Sequence, residues 1–271
     1  MIISASRRTD ILSFYGEWLE TSLNKGYIEI SNPFNPKQKR VVSLKRENVD
    51  GFVFWTRNAL PSLHLLEEIE NRKYPYYVMI TFTNYPKVIE KNVPDFDLAL
   101  KNFELLSKLL TEERVIWRYD PIFLSNLTDF EFHKKNFLKL TNLLSPFTKR
   151  VIVSLFDRYN FVLKRLQKCD EIKEIEIKRD LILSLLDYLI EISKKHSLEI
   201  QSCCEENFFN ESKIKSGSCI DVQLFNKIFS LNLKYKKDKY QRKKCLCHQS
   251  VDIGKYNTCK GKCIYCYAVK S

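Results

Sequence analysis

Glycine is scarce in this chain. Six in 271 residues leave little room for loops that cradle phosphate with bare backbone N–H groups. No G-x-x-x-x-G-K-[ST], G-x-G-x-x-G or G-x-S-x-G occurs, which removes support for kinase, nicotinamide-dehydrogenase and hydrolase readings. No apolar run approaches the roughly 20 residues that span a bilayer. The opening from Met1 to Arg7 has neither the charged start nor the long apolar stretch of a signal peptide, so the expected location is cytoplasmic. The four histidines offer no catalytic pair. His64, His133 and His196 fall in helix-patterned stretches among polar neighbours and read as surface residues, as does His248, for which metal ligation beside Cys247 is the alternative. With no internal repeat and no low-complexity linker, 271 residues at 44% apolar content read as one domain, 1–271, close to the roughly 250 residues of an α/β barrel.

Cysteine, by contrast, is abundant. Nine in a chain expected to be cytosolic argue for metal or cluster binding rather than disulfides, because cellular thiols keep such bonds reduced. Cys259, Cys263 and Cys266 are spaced C-x3-C-x2-C. Three thiolates on a cubane cluster leave one iron open for a substrate or cosubstrate, whereas structural zinc closes with four ligands.

This spacing, with Tyr265 at the aromatic position of C-x3-C-aromatic-C, resembles the radical S-adenosylmethionine (SAM) superfamily, and Cys263-Ile264-Tyr265-Cys266-Tyr267-Ala268 is similar to its spore-photolyase-like branch. The whole chain also resembles a bacterial family without an assigned function, through Ser6-Arg7-Arg8-Thr9-Asp10-Ile11 and Asp252-Ile253-Gly254-x-Tyr256-x-Thr258-Cys259. The superfamily resemblance implies an oxygen-sensitive enzyme. Cys259, Cys263 and Cys266 would ligate a 4Fe-4S cluster whose open iron is chelated by SAM, with Tyr265 packed near the adenine. One electron, from a donor such as flavodoxin or ferredoxin, would cleave SAM to methionine and a 5'-deoxyadenosyl radical that abstracts a substrate hydrogen. Two features depart from the pattern: the motif stands at the end of the chain instead of after the first strand, and no Gly-Gly-Glu is present to hold SAM's amino group.

A second set, Cys203, Cys219, Cys245 and Cys247, lies within a Cys-rich segment, 203–271. Four thiolates there suit a second, fully ligated 4Fe-4S cluster, with zinc as the close alternative. Cys204 competes with Cys203, since adjacent strand residues face opposite ways. Cys169 reads as a bystander.

The formal charge of +12 is uneven: Lys234 to Ser271 carries +9 of it. In a chain rich in lysine throughout, a solvated face is the plain explanation. Cations beside an anionic thiolate cluster, or a surface for a phosphate backbone, are the functional ones.

Short β-rich runs alternate with helical periodicity, the pattern of βα units in a mostly parallel sheet. Strands are expected at Ile2–Ser6, Tyr27–Ser31, Gly51–Trp55, Tyr76–Phe82, Arg114–Arg118, Arg150–Leu155 and Leu198–Ser202, with Ser250–Gly254 as an eighth. Helices are expected at Phe14–Lys25, Leu60–Arg72, Asp97–Leu110, Asp129–Leu144 and Ile177–Lys195, and a turn or loop at Asn32–Pro36. The fold class is therefore α/β, a TIM-like or partial (β/α) barrel. If the last strand takes the place normally held by the first, the barrel is circularly permuted relative to other radical SAM enzymes.

In such a fold, functional groups gather at the carboxyl ends of the strands. Arg7, Arg8 and Asp10 follow the first strand, Thr56, Arg57 and Asn58 the third, Thr81 and Thr83 the fourth, Arg118 and Asp120 the fifth, and Asp157 the sixth. Arg7, Arg8, Asp10, Arg118 and Asp120 are candidates to hold SAM or an anionic substrate, since Arg matches a carboxylate or phosphate with two parallel hydrogen bonds. Ion pairs sealing the barrel mouth are the structural alternative. Trp55 and Trp117 read as core. The substrate class stays open among a small anionic metabolite, a peptide and a nucleic acid. A non-enzymatic zinc protein contacting nucleic acid, and an electron-transfer iron-sulfur protein, are the competing functions.

Overall fold

The computed structural model describes residues 1–33, 35, 37–205 and 208–270. Its strands follow from short apolar runs able to bury both faces. Gly51–Thr56 is buried at every position and Tyr76–Thr81 at all but the last, as parallel strands covered on two sides require. Eight strands form one all-parallel sheet: β1 (Ile2–Ala5), β4 (Gly51–Thr56), β5 (Tyr76–Thr81), β6 (Val115–Ile122), β7 (Arg150–Leu155), β8 (Glu199–Cys203), β9 (Lys215–Gly217) and β10 (Val251–Asp252). Their spatial order is β10-β1-β4-β5-β6-β7-β8-β9. Among the described residues no pairing joins β9 to β10, so the sheet is open and not a closed TIM-type ring.

Two strand assignments change. Tyr27–Ser31 is β2 of a separate antiparallel hairpin with β3 (Lys39–Ser43); most of its side chains reach solvent and only Ile28 is buried, too little cover for a central strand. The vacated place goes to β9, whose three residues carry no apolar pattern by which to read them. Asn35 N donates to Asn32 O at 3.2 Å in the expected turn; Phe34 and Pro36 of that turn lie outside the described residues.

The helices are α1 (Ile11–Phe14), α2 (Gly16–Lys25), α3 (Leu63–Asn71), α4 (Phe96–Leu110), α5 (Phe130–Leu144), α6 (Asn160–Leu166), α7 (Arg179–Lys195), α8 (Phe208–Glu211) and α9 (Val222–Phe229). Asp10 and Asp129 cap α1 and α5 through the backbone N–H of Ser13 and Phe132, at 3.0 and 2.7 Å, each satisfying one otherwise orphaned donor. Among the described residues, no helix is long and apolar enough to cross a membrane.

The two faces of the sheet are filled differently. Phe52, Phe54, Val78 and Trp117 pack with Leu66, Phe103, Phe137 and Leu186 of the helices. Val53, Trp55, Met79, Ile116 and Ile152, on the opposite face, pack instead with Val222, Leu224 and Phe225 of α9 and with Cys219, Cys245 and Cys247. The 219–247 part of the Cys-rich segment therefore fills the inner face of the sheet.

His133, expected on the surface, is buried on α5. It hydrogen-bonds the Tyr119 hydroxyl at 2.8 Å and the Phe123 carbonyl at 3.2 Å. Burial holds its pKa down at about 4, so the folded state keeps it neutral while the unfolded chain protonates it near 6.5. The stabilisation is complete above pH 6.5 and is lost as pH falls toward 4. By linkage about 3 kcal/mol should disappear across that window. Urea denaturation of wild type and His133→Gln at pH 7 and pH 4.5 checks it: the variant should lose markedly less stability on acidification than wild type.

Candidate metal centre

The last strand, β10, pairs directly with the first, Ile3 opposite Val251 and Ser4 opposite Asp252. Asp252 locks this junction. Its buried carboxylate accepts from Ser4 Oγ and Ser6 Oγ, both at 2.7 Å, and from the backbone N–H of Arg7 and Gly254, both at 3.0 Å. The turn is tight: a Cβ on Gly254 would meet Ser6 Oγ at 2.0 Å, a contact only glycine avoids. From here the chain enters a closed loop, pinned where Asn257 N donates to Ala268 O at 2.8 Å.

This loop carries Cys259, Cys263 and Cys266 at the carboxyl end of the sheet. Segment 89–92 holds one side, with Ile264 N donating to Ile89 O at 2.9 Å and Asn92 N to Gly261 O at 3.0 Å. Arg165, from α6, holds the other. Its Nη1 donates to the carbonyls of Ile264 at 3.0 Å and Cys266 at 3.1 Å, and its Nη2 to that of Val269. Buried Gly261 lies between two of the thiols, since a Cβ there would stand 3.6 Å from Cys259 Sγ and 3.8 Å from Cys263 Sγ. Burial pushes the Cys263 and Cys266 thiols up, an effect that a cation at the thiolates reverses.

Behind Cys263 lies a buried charge pair. Arg57 Nη2 meets Glu90 Oε1 at 2.7 Å, and Thr83 Oγ1 donates to the same oxygen at 2.6 Å. The Tyr265 hydroxyl accepts from Arg57 and donates to Glu90. Burial opposes the charge of Arg57, and Glu90, Tyr265 and Cys263 together more than offset it. The Tyr265 ring is buried beside Tyr85 and Phe123, so this aromatic orients the loop from beneath. A cavity of about 300 Å³, bordered by Arg57, Tyr85, Lys87, Glu90 and Phe96, adjoins the pair.

The second cysteine set is contiguous. Ser202 shares its register row with helix-facing Val153, so alternation turns Cys203 to the inner face, where its Sγ lies 3.2 Å from that of Cys219. Cys204 adopts a left-handed φ of 55° and its thiol contacts that of Cys245. Cys219 hydrogen-bonds Cys247, which also receives from Cys245; these bonds favour the Cys247 thiolate. Both members of the Cys203–Cys204 pair thus reach the group. Arg118 Nη1 points at Cys219 Sγ from 3.8 Å, and Arg7 and Arg242 are within electrostatic reach of Cys247 and Cys203. Such positive surroundings are what a polythiolate site requires. Among the described residues no three His, Cys, Asp or Glu side chains are set around a position for a single metal ion.

The strand-end polar residues turn out to be heavily engaged. Asp10 spends one oxygen capping α1 and the other on Arg57 N at 2.7 Å. Asp120 pairs with Arg118 and accepts from Ser154 Oγ at 2.7 Å. Arg242 Nη1 meets both oxygens of Asp157 at 2.8 Å. Arg7 donates to Ser250 Oγ at 3.0 Å and lies over the Trp55 ring. Arg8, 21% exposed, lies over Tyr256 and donates to Gly254 O at 3.3 Å. Trp117 is core, with Nε1 donating to Phe82 O at 2.9 Å. His248 Nδ1 lies 3.0 Å from Ile220 O, and Cys169 packs with Val162 and Leu166.

Glu90, Asp252 and Arg165 escaped the sequence reading. For Asp252 a signal existed, because it opens the stretch that leads to the cysteines. Glu90 and Arg165 lie in a loop and an unpredicted short helix, where no local pattern separates them from surface charges.

Neither the curated proteins nor the solved structures searched contain a match to this chain. A family model does match, over residues 2–268, which takes in both strands that frame the loop and all nine cysteines: the chain belongs to the family described as a domain of unknown function, DUF1848.

Proposed function

We propose that the chain is a radical SAM enzyme in which Cys259, Cys263 and Cys266 ligate a 4Fe-4S cluster with one open iron. The observation that carries this reading is the loop. It brings three thiols, spaced for a three-ligand cubane, to the carboxyl end of a parallel sheet, with small, buried Gly261 between two of them. When bound, the cluster and SAM supply the one-electron cleavage that yields a 5'-deoxyadenosyl radical, which abstracts a substrate hydrogen. Arg165 and segment 89–92 hold the loop, and the Arg57–Glu90 pair fixes Tyr265 beneath it. Of the SAM-contact candidates Tyr265, Arg7, Arg8, Asp10, Arg118 and Asp120, Arg8 has the most exposed of the three arginine side chains, although its Nε also faces Asp252 at 3.9 Å. The pairing of β10 with β1 supports a circular permutation, because the strand leading to the cluster loop stands beside the chain's first strand.

Cys203, Cys219, Cys245 and Cys247 form the second site, for a cluster or for zinc, with Cys204 as a reserve ligand beside Cys245. Cys245→Ala should lower iron by one cluster's worth and leave the SAM-responsive signal in place. Unchanged iron and sulfide, with zinc present, would assign this site to zinc.

The deciding experiment is anaerobic purification with iron and sulfide analysis and electron paramagnetic resonance of the reduced protein, with and without SAM. A 4Fe-4S signal that shifts on SAM addition is expected. Colourless protein that also resists cluster reconstitution would leave a structural zinc protein, and a cluster indifferent to SAM would leave an electron-transfer one.

A further inference from the structure

Six lysines in the loop leading to Cys245 stand in solvent without counter-charges. Lys234, Lys236, Lys237, Lys239, Lys243 and Lys244 are all exposed, and among the described residues none of them is in an ion pair. The loop's one paired cation is Arg242, which holds Asp157. Its one acid, Asp238, is buried and accepts from Tyr240 N at 3.0 Å and Gln241 Nε2 at 3.3 Å, so it does not neutralise the surface. Two apolar side chains stand among the lysines, Tyr240 at 84% and Leu246 at 42% exposure.

This loop is tied to the second cysteine group. Asp238 N donates to Cys247 O at 2.8 Å, Gln249 N to Lys236 O at 3.0 Å and Cys245 N to Arg242 O at 2.9 Å. Cys245 and Cys247 themselves are buried. The lysines therefore cover the outer side of the segment whose inner side presents the thiols.

Building on the function proposed above, with a cluster as the occupant of the second cysteine group, we propose that the 234–244 loop is the docking surface for an acidic electron-carrier protein. The carrier loses one electron there, and the iron-sulfur centre bound at the cysteines beneath gains it, with no bond made or broken. Lysine's compact, mobile charge suits steering and transient contact, whereas planar recognition of phosphate favours arginine. Weak electron-transfer contacts are small, below about 1,200 Å², a size that one loop with a small apolar centre can supply. A stacking surface for single-stranded nucleic acid sets several aromatics in line, and this loop exposes one tyrosine.

The test uses full-length, cluster-loaded protein under anaerobic conditions, with a reduced acidic flavodoxin as carrier. In Lys234→Glu/Lys236→Glu/Lys239→Glu/Lys243→Glu, reduction by flavodoxin should slow at least tenfold at low salt. The wild-type rate should fall as salt rises, and photoreduced deazaflavin should reduce both proteins equally. A matching Lys→Gln variant should give an intermediate rate, which guards against a folding defect in the charge-reversed protein. Equal flavodoxin rates in wild type and the charge-reversed variant would overturn the docking surface. So would a single-stranded oligonucleotide that binds through these lysines while flavodoxin does not bind. Calorimetric binding separates the two ideas: lysine-dependent flavodoxin binding without reducible iron overturns the proposed function, and reducible iron with lysine-independent binding overturns the docking surface alone.

Discussion

Cys263→Ala is expected to remove one cluster's complement, about four irons, and to bring SAM cleavage below detection. Cys263 is the middle thiol of the loop, with Cys259 beside it across Gly261 and Cys266 within electrostatic reach. On the proposed function, its loss would leave two thiols for a cluster that needs three. The fold should survive, because the loop is held by backbone contacts that alanine retains: the Glu90–Cys263 bridge, the Ile264–Ile89 bond and the Arg165 contacts to carbonyl groups. Iron and sulfide analysis, 5'-deoxyadenosine assay and circular dichroism on the same preparation check the three parts. Wild-type SAM cleavage in this variant would refute the assignment of these ligands.

Glu90→Ala is expected to be the most destabilising single change near the site. Glu90 is 2% exposed and its Oε1 is shared by Arg57, Thr83 and Tyr265. Its loss strands a buried guanidinium, and breaking such a pair by removing one partner costs about 3–5 kcal/mol. For a chain of this size that corresponds to a fall in Tm of roughly 10 °C. Glu90→Gln should cost less, since the amide oxygen still accepts from Thr83 and Tyr265 while the charge opposite Arg57 is gone. Chemical denaturation of the two variants orders them. A loss below about 1 kcal/mol in Glu90→Ala would show the pair to be solvent-screened.

Most of the fold was legible, and the reasons are local. Runs such as Phe52–Trp55 and Tyr77–Ile80 are apolar on both faces, and α4, α5 and α7 carry apolar residues three and four apart. These patterns survive without knowledge of what packs against them. The errors fell where tertiary contact overrides pattern. β2 reads as a sheet strand but forms a hairpin, β9 has no pattern to read, and His133 is polar in sequence yet enclosed by Tyr119 and Phe123.

The site divides in the same way. The spacing of Cys259, Cys263 and Cys266 is a property of the chain alone, because ligand chemistry on a short loop depends on sequence separation. That Cys203, Cys219, Cys245 and Cys247 form one group was inferred from their number, but their meeting depends on β8, the segment before α9 and the lysine loop folding onto one inner face. The fate of the strand-end charges was settled by folding alone. Asp10, Asp120 and Asp157 could each have faced a ligand, yet each is held by neighbours distant in sequence or set there by strand geometry. A carboxylate taken out of water binds the nearest donor, and which donor is nearest is decided only when the strands are side by side.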